Sequence, residues 1–189
     1  MPLSGPTADD LRKIHAEVNQ LVHQRFLLTT IAITVFGVVM ALLVPRTAPS
    51  SGSSVGGFVF LLAAVLSLLL FALFLLSHLL KGMLRVFTTY LKVTGASNWE
   101  KDWSAFRQSP YLGYTKPQTL IFLILNGLTT LFPFLMAQVY QLHYEPRMGW
   151  IASLATGVLT ELLMIGMGLR GWWDRERKAE QQWKAIKSD

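Results

Sequence analysis

GFVFLLAAVLSLLLFALFLLSHLL, residues 57–80, is an apolar run of 24 residues without a lysine, an arginine or an acidic side chain. A run of about 18 or more such residues can cross the hydrocarbon core of a bilayer as one helix. Three further runs meet this criterion, at residues 26–44, 119–142 and 149–170. The sequence therefore predicts an all-α integral membrane protein with four transmembrane helices.

The composition excludes an ordinary soluble domain. Of the 189 residues, 52% are hydrophobic and 15% are charged, and the mean hydropathy is +0.40. The segments outside the four runs are shorter than the roughly 50 residues of an independent domain, so we expect one membrane domain over residues 1–189. The first run is not a cleavable signal peptide, because Asp9, Asp10 and Glu17 precede it and because it is longer than a signal core.

Lysine and arginine are distributed unequally over the terminal segments and the connections between the runs. Fifteen of the 17 lie in residues 1–25, 81–118 and 170–189, whereas the other two connections hold only Arg46 and Arg147. Because cytoplasmic loops retain an excess of these residues, both termini are predicted to be cytoplasmic, at the plasma (inner) membrane. The basic balance predicts attraction to anionic lipid on that face and no nucleic-acid binding. Short connections also predict an antiparallel bundle.

An amphipathic helix is predicted over residues 8–25, before the first transmembrane helix. Thr7 and Asp10 have the spacing of a capping pair, and Leu11, Ile14 and Val18 follow at helical spacing. The apolar stripe is either an oligomerisation surface, with the helix a lever coupled to the first span, or the contact face of a helix that lies on lipid or on the protein's own loops. Two heptads are fewer than a coiled coil needs, which favours the second interpretation.

The middle connection, residues 81–118, is predicted to hold a helical extension of the second span that stops at Gly95, followed by a short helix in the membrane interface. Aromatic residues share one face of this short helix. Indole rings favour the headgroup level, so anchoring is a simpler role for that face than stacking on a ligand. The predicted interfacial anchors are Trp99, Trp103, Phe106, Trp150, Trp172 and Trp173.

The C-terminal segment, residues 171–189, is predicted to be a charged cytoplasmic helix. Glu180 and Lys184 have the i,i+4 spacing of an ion pair on a helix. The simplest prediction is a solvated helix. The alternative is that Trp183 and Ile186 dock onto a partner or a second subunit.

Small residues at helical spacing predict which faces of the membrane helices pack, because such helices meet through small side chains. The first and the fourth span each carry such a stripe. The predicted helix-packing residues are Thr30, Thr34, Gly37 and Ala41 in the first span, and Ser153, Gly157 and Gly168 in the fourth.

Glu161 is the only acidic residue within the four runs. A carboxylate inside a membrane is costly, so it marks either a functional site or a polar packing contact. At about 1.5 Å of rise per residue, Glu161 lies about 13 Å and Asn126 about 10 Å from the cytoplasmic ends of their helices. The sequence therefore predicts an inward-facing polar cluster inside the bundle. Its members are Glu161, Asn126, Thr129, Thr130 and Thr160.

Two roles for this cluster stay open. In one, Glu161 is protonated and donates a hydrogen bond that clamps the third and fourth helices together. In the other, it binds or relays a cation or a proton along a wetted path. Repeated acids or a histidine at the same depth would favour conduction, and neither is present at that depth, because His78 lies nearer the cytoplasmic end of the second run.

Sequence motifs of the common enzymes are missing. The chain has no His-Glu-x-x-His helix, no phosphate-binding loop and no Gly-x-Ser-x-Gly elbow. Its four histidines are scattered and it has no cysteine, so neither a metal site nor a cofactor is expected. We expect a non-catalytic scaffold or accessory subunit of a membrane assembly, either as a homo-oligomer or with another membrane subunit. The alternative is an oligomeric pore or an ion- or proton-conducting protein that uses the Glu161 cluster.

Overall fold

The fold is almost entirely helical in the computed structural model, which describes residues 7–43, 54–55, 57–95, 116–139, 143–144, 147–169 and 172–188. Within these ranges the helices are α1 (Ala8–Leu43), α2 (Gly57–Thr94), α3 (Lys116–Val139), α4 (Arg147–Leu169) and α5 (Trp172–Ser188). Two strands of two residues each, β1 (Ser54–Val55) and β2 (His143–Tyr144), pair in parallel. This pairing brings together the connection after α1 and the connection after α3.

Helices α1 to α4 each contain a stretch that is long and apolar enough to cross a membrane. Their outer surfaces carry large apolar side chains, such as Phe26, Phe58 and Val139, each at least 70% exposed. Soluble monomers rarely expose contiguous apolar surface of this kind, whereas lipid tails solvate it well. These are the features of a multi-pass membrane protein.

Helix α1 is a single helix of 36 residues, so the predicted amphipathic segment 8–25 and the first apolar run are continuous. Thr7 caps it: the Thr7 hydroxyl donates to Asp10 Oδ2 at 2.7 Å, and the Asp10 amide donates to Thr7 Oγ1 at 3.2 Å. The carboxylates of Asp9 and Asp10 in the first turn also complement the positive end of the helix dipole. No proline interrupts the chain between Thr7 and Leu43.

Helix α2 continues beyond the apolar run to Thr94. It ends immediately before Gly95, which has φ of 70°, a left-handed conformation that favours glycine. The hydroxyl of Thr94 donates to the carbonyl of Tyr90 at 2.9 Å and so occupies an acceptor in the last turn. The predicted interfacial helix lies outside the described residues, and so do Trp99, Trp103 and Phe106.

The chain divides into two compact units. One, here called the span unit, comprises residues 28–75 and 117–167, and its core draws residues from all four membrane helices. Phe74 of α2 and Phe122 of α3 meet edge to face, with ring centroids 5.7 Å apart. The buried apolar residues of this core are Ala32, Leu66, Leu70, Phe74, Phe122, Leu125 and Met164.

The other unit, here called the terminal unit, comprises the described parts of residues 1–27, 76–116 and 168–189. In it, α5 packs on the extension of α2. Lys92 Nζ lies 3.0 Å from Glu180 Oε2, and the rings of Tyr90 and Trp183 meet edge to face at 4.9 Å. Glu180 also forms its predicted i,i+4 pair with Lys184, at 2.7 Å. The C-terminal helix is therefore docked on its own chain through Trp183 and is not solvated on all sides.

Candidate functional site

The side-chain amide of Asn126 in α3 is the centre of a polar contact with α4. Asn126 is fully buried, and its Nδ2 lies 2.7 Å from Glu161 Oε2, 3.1 Å from Thr160 Oγ1 and 3.2 Å from the Gly157 carbonyl oxygen. The hydroxyl of Thr160 in turn lies 3.3 Å from Asn126 Oδ1. A single side chain of α3 thus contacts three positions of α4.

The spacing of these positions explains how one amide reaches all of them. Gly157, Thr160 and Glu161 stand at i, i+3 and i+4, which share one face of a helix. Gly157 has no side chain to cover its carbonyl oxygen, and Thr130 of α3 lies directly against it. A Cβ atom at Gly157 would overlap the side chain of Thr130. The glycine therefore permits the close approach that the hydrogen bonds of Asn126 require.

The threonine hydroxyls of the cluster are bonded mainly to backbone carbonyls. Thr129 donates to the Leu125 carbonyl at 2.8 Å, and Thr130 donates to the Asn126 carbonyl at 2.9 Å. Thr160 lies 2.9 Å from the Gly157 carbonyl. Such back-bonding to the preceding turn satisfies a buried hydroxyl within its own helix. Of the five predicted members, the structure brings Asn126, Thr160 and Glu161 into direct contact. Thr130 adds packing, and Thr129 directs its hydroxyl to its own helix.

Glu161 differs from the other members because it is only half buried. It is also one of the residues that line a groove of about 220 Å³ on the surface of α3 and α4. The other lining residues are small or apolar apart from Thr130: Gly127, Thr130, Leu131, Leu154, Gly157 and Val158. Glu161 thus contacts Asn126 and also lines an apolar groove, and it is less completely buried than the sequence predicts.

The two predicted packing stripes differ in burial. In α4, Ser153 and Gly157 are buried and Gly168 is half buried. In α1, by contrast, the predicted stripe lies on the exposed surface. The exposed residues of that stripe are Thr30, Thr34, Gly37 and Ala41.

The face of α1 that packs in the span unit contains Thr29 and Ala32, both buried. Gln118 Nε2 in the first turn of α3 donates to Thr29 Oγ1 at 2.7 Å. The pattern of small residues does not predict this contact. A polar glutamine beside the start of an apolar run is a signal that such a partner exists, although it does not identify Thr29.

Trp150 is the one predicted anchor whose side chain is described. It is half buried and meets Phe134 edge to face, with centroids 6.3 Å apart. Trp172 and Trp173 begin α5, but their side chains are outside the described part of the structure.

Comparison of the chain with known protein families, curated proteins and solved structures finds no match. Among the described residues, no three histidine, aspartate or glutamate side chains are grouped to hold a metal ion.

Proposed function

We propose that this protein is a non-catalytic scaffold or accessory subunit of a membrane assembly. The observation that supports this role is the contact of Asn126 with Glu161, Thr160 and Gly157. These hydrogen bonds hold α3 against α4. A protein that serves as a fixed surface for other subunits needs such rigid helix pairs, because bound partners require a stable geometry.

The hydrogen bonding of the cluster argues against a path for ions. An ion in transit needs oxygen atoms that can replace its water shell. Here the amide nitrogen of Asn126 is directed at α4, and the hydroxyls of Thr129 and Thr130 are bonded to carbonyls of α3. The amide nitrogen of Asn126 carries no free lone pair for a cation, so its three contacts with α4 serve the packing of the two helices.

The proposal includes an antiparallel arrangement of the four membrane helices with both termini and the amphipathic helices in the cytoplasm. Four crossings return the chain to the side where it began. The β1–β2 pairing supports this topology, because it joins the two connections that would then lie on the outer side. The distribution of lysine and arginine supports the same orientation.

We assign the partners by chemistry: a bilayer with anionic lipid on the cytoplasmic face, and either a second copy of this chain or another membrane subunit. Two exposed features of the span unit support a helical neighbour. One is the stripe of Thr34, Gly37 and Ala41 on α1, where small side chains allow a close approach. The other is the groove that Glu161 lines, where a neighbour would bury this half-exposed acidic residue further.

Ion or proton conduction is the second candidate, and the half-buried position of Glu161 is the observation that favours it. A carboxylate at the edge of a groove is accessible to water if several subunits enclose that groove. Conduction would therefore require an oligomer, since four helices rarely enclose a channel alone.

Flux measurements on reconstituted protein separate the two candidates. Wild type, Glu161→Gln and Glu161→Ala are placed in liposomes, and cation and proton fluxes are compared with those of empty vesicles. For a scaffold we expect no flux from any of the three, and a lower melting temperature for Glu161→Ala than for Glu161→Gln, which retains an acceptor for Asn126. Flux in the wild type that Glu161→Gln abolishes would replace this proposal with the conducting one.

Photo-crosslinking tests directly whether a neighbouring helix occupies the groove. A photoreactive amino acid is introduced at Val158, which lines the groove and is 47% exposed, or at Leu61 of α2, which is 62% exposed and outside the groove. In native membranes a neighbour in the groove would give one discrete adduct from Val158 and none from Leu61. Lipid adducts alone at both positions would refute docking in the groove, and the mass of a protein adduct would distinguish a second copy from another subunit.

A further inference from the structure

The groove on α3 and α4 has a glycine and an acidic residue at the same depth. At about 1.5 Å of rise per residue, Gly127 lies about 12 Å and Glu161 about 13 Å from the cytoplasmic ends of their helices. Both residues line the groove. No described atom of another helix lies within 4 Å of where a Cβ atom of Gly127 would stand. A neighbouring helix can therefore approach closely at the level of the acid.

The membrane helices of this chain supply no positive charge at the level of Glu161. The Glu161 carboxylate accepts a hydrogen bond from the uncharged amide of Asn126, at 2.7 Å. The four apolar runs contain no lysine, and their one arginine is Arg170, at the end of the fourth run. It lies about 13 Å along the helix from Glu161. A second copy has the same four runs, so a base that pairs with Glu161 would have to come from a different protein.

The size and lining of the groove suit one long side chain. Its volume of about 220 Å³ is below the roughly 300–1,000 Å³ of small-molecule sites. Leu131, Leu154 and Val158 make most of its wall apolar. The methylene stem of a lysine or an arginine packs well on such a wall while its charged end reaches an acid.

We propose that the groove binds a transmembrane helix of a different subunit, and that this helix carries a lysine or an arginine at the depth of Glu161. This inference rests on the proposed function, because it specifies the partner that the scaffold role requires. Ionisable residues inside a membrane usually pair with one another. The pair would also provide specificity, since a helix without the base would leave Glu161 without a charged partner.

The test identifies the residue that the groove contacts. The photoreactive amino acid is placed at Val158, and the adducts formed in native membranes are digested and sequenced by mass spectrometry. Adduct yield is compared for wild type, Glu161→Gln and Leu131→Met. Glu161→Gln removes the charge but retains an acceptor for Asn126. Leu131→Met is the matched control, because it changes another lining residue without changing the charge and with little change in volume.

We expect the adduct to be a peptide from an apolar span with a lysine or an arginine within about one helical turn of the depth of Glu161. Glu161→Gln should lower the yield at least about tenfold, because the base of the partner would be left unpaired in the membrane. Leu131→Met should change it no more than about twofold. Replacement of the partner's base by methionine should lower the yield as Glu161→Gln does. This reciprocal change leaves the present chain intact, so it decides the matter if Glu161→Gln does not fold.

The possible failures separate this inference from the scaffold role. An adduct with a span that has no base, or with a second copy of this chain, would overturn the inference and leave the scaffold role standing. Equal yields from wild type and Glu161→Gln would have the same meaning. Lipid adducts alone would overturn both the inference and docking in the groove.

Discussion

At the scale of single residues, the separation of α3 and α4 depends on Gly157, which has no Cβ atom. Gly157 leaves space for Thr130, and the three contacts of Asn126 with α4 form across the same place. Gly166, in the same helix, has no atom within 4 Å of where a Cβ would stand. The two glycines therefore make a matched pair for testing the close approach.

We predict that Gly157→Ala destabilises the protein by about 1–3 kcal/mol, the usual cost of forcing an extra group into a packed contact. Gly166→Ala should change stability by less than about 1 kcal/mol, since it only alters helix propensity. Unfolding in detergent micelles measures both. Thr130→Ala should restore part of the stability of Gly157→Ala, and equal effects of the two glycine substitutions would contradict the packing described for Gly157.

The hydrogen bond between Asn126 and Glu161 should be measurable as a coupling energy. In a double-mutant cycle of Asn126→Ala and Glu161→Ala, we expect a coupling between about 0.6 and about 1.7 kcal/mol, which are the mean and the maximum for polar contacts between membrane helices. A cycle of Asn126→Ala with Thr34→Ala, which is exposed on α1, serves as the control and should give less than about 0.5 kcal/mol. Similar values in both cycles would show that Asn126 does not act through Glu161.

At the scale of helices, the contact of α5 with α2 depends on the charge of Glu180. Hydrogen bonds from Lys184 and then Lys92 lower the pKa of the Glu180 carboxyl below its ordinary value of 4.5. Lys184 belongs to α5 and stays beside Glu180 on the released helix, so only the contribution of Lys92 of α2 depends on docking. Through that contribution the Glu180 carboxyl binds its proton more readily when α5 is released. The charge of Glu180 therefore stabilises the docked state fully when the pH is above the ordinary pKa of glutamate. This stabilisation is lost as the pH falls through the lowered pKa of Glu180.

We predict that acidification below the ordinary pKa of glutamate weakens the docking of α5 on α2, while Glu180→Gln shows little dependence on pH in that range. The chain has no cysteine, so spin labels can be attached to single cysteines introduced at Gln182 and Val86, both exposed. Their separation is followed by electron spin resonance as the pH is lowered. A wild-type separation that stays constant until the whole protein unfolds would argue against a role for Glu180.

Some features of the helices follow from local sequence and others do not. The cap at Thr7 and the end of α2 before Gly95 depend on residues within one turn, so the sequence predicts them. The packing face of α1 depends on which neighbour is present. Thr29 and Thr30 are adjacent, and the pattern of small residues favoured the face of Thr30, whereas Gln118 holds Thr29 inside.

At the scale of the whole molecule, the number of membrane helices could be predicted because each apolar run identifies one helix without reference to the others. Contacts between residues that are far apart in the sequence could not be predicted in this way. The Tyr90–Trp183 contact and the β1–β2 pairing need the helices to be in place first. The Asn126–Glu161 contact could be predicted in part. The two residues have similar depth on consecutive helices, which predicts their contact, but the sequence does not predict that Glu161 is partly exposed.

The proposed topology can be tested with the same cysteine-free chain. Single cysteines at Ser51, Ser97 and Ser188 are treated with a membrane-impermeant maleimide from outside intact cells. We predict labelling at Ser51 only, because the basic connections stay in the cytoplasm. Labelling at Ser188 from outside would reverse the orientation. Labelling at Ser51 and Ser97 together would contradict the four crossings.

The groove beside Glu161 has a thermodynamic consequence for the protein in its membrane. If a neighbouring helix covers this groove only in the assembled state, association stabilises the folded chain by mass action. Its resistance to unfolding would then rise with the number of copies per unit area of bilayer. Dilution with lipid would make each copy less stable, so the abundance of the protein would help to determine how long each molecule survives.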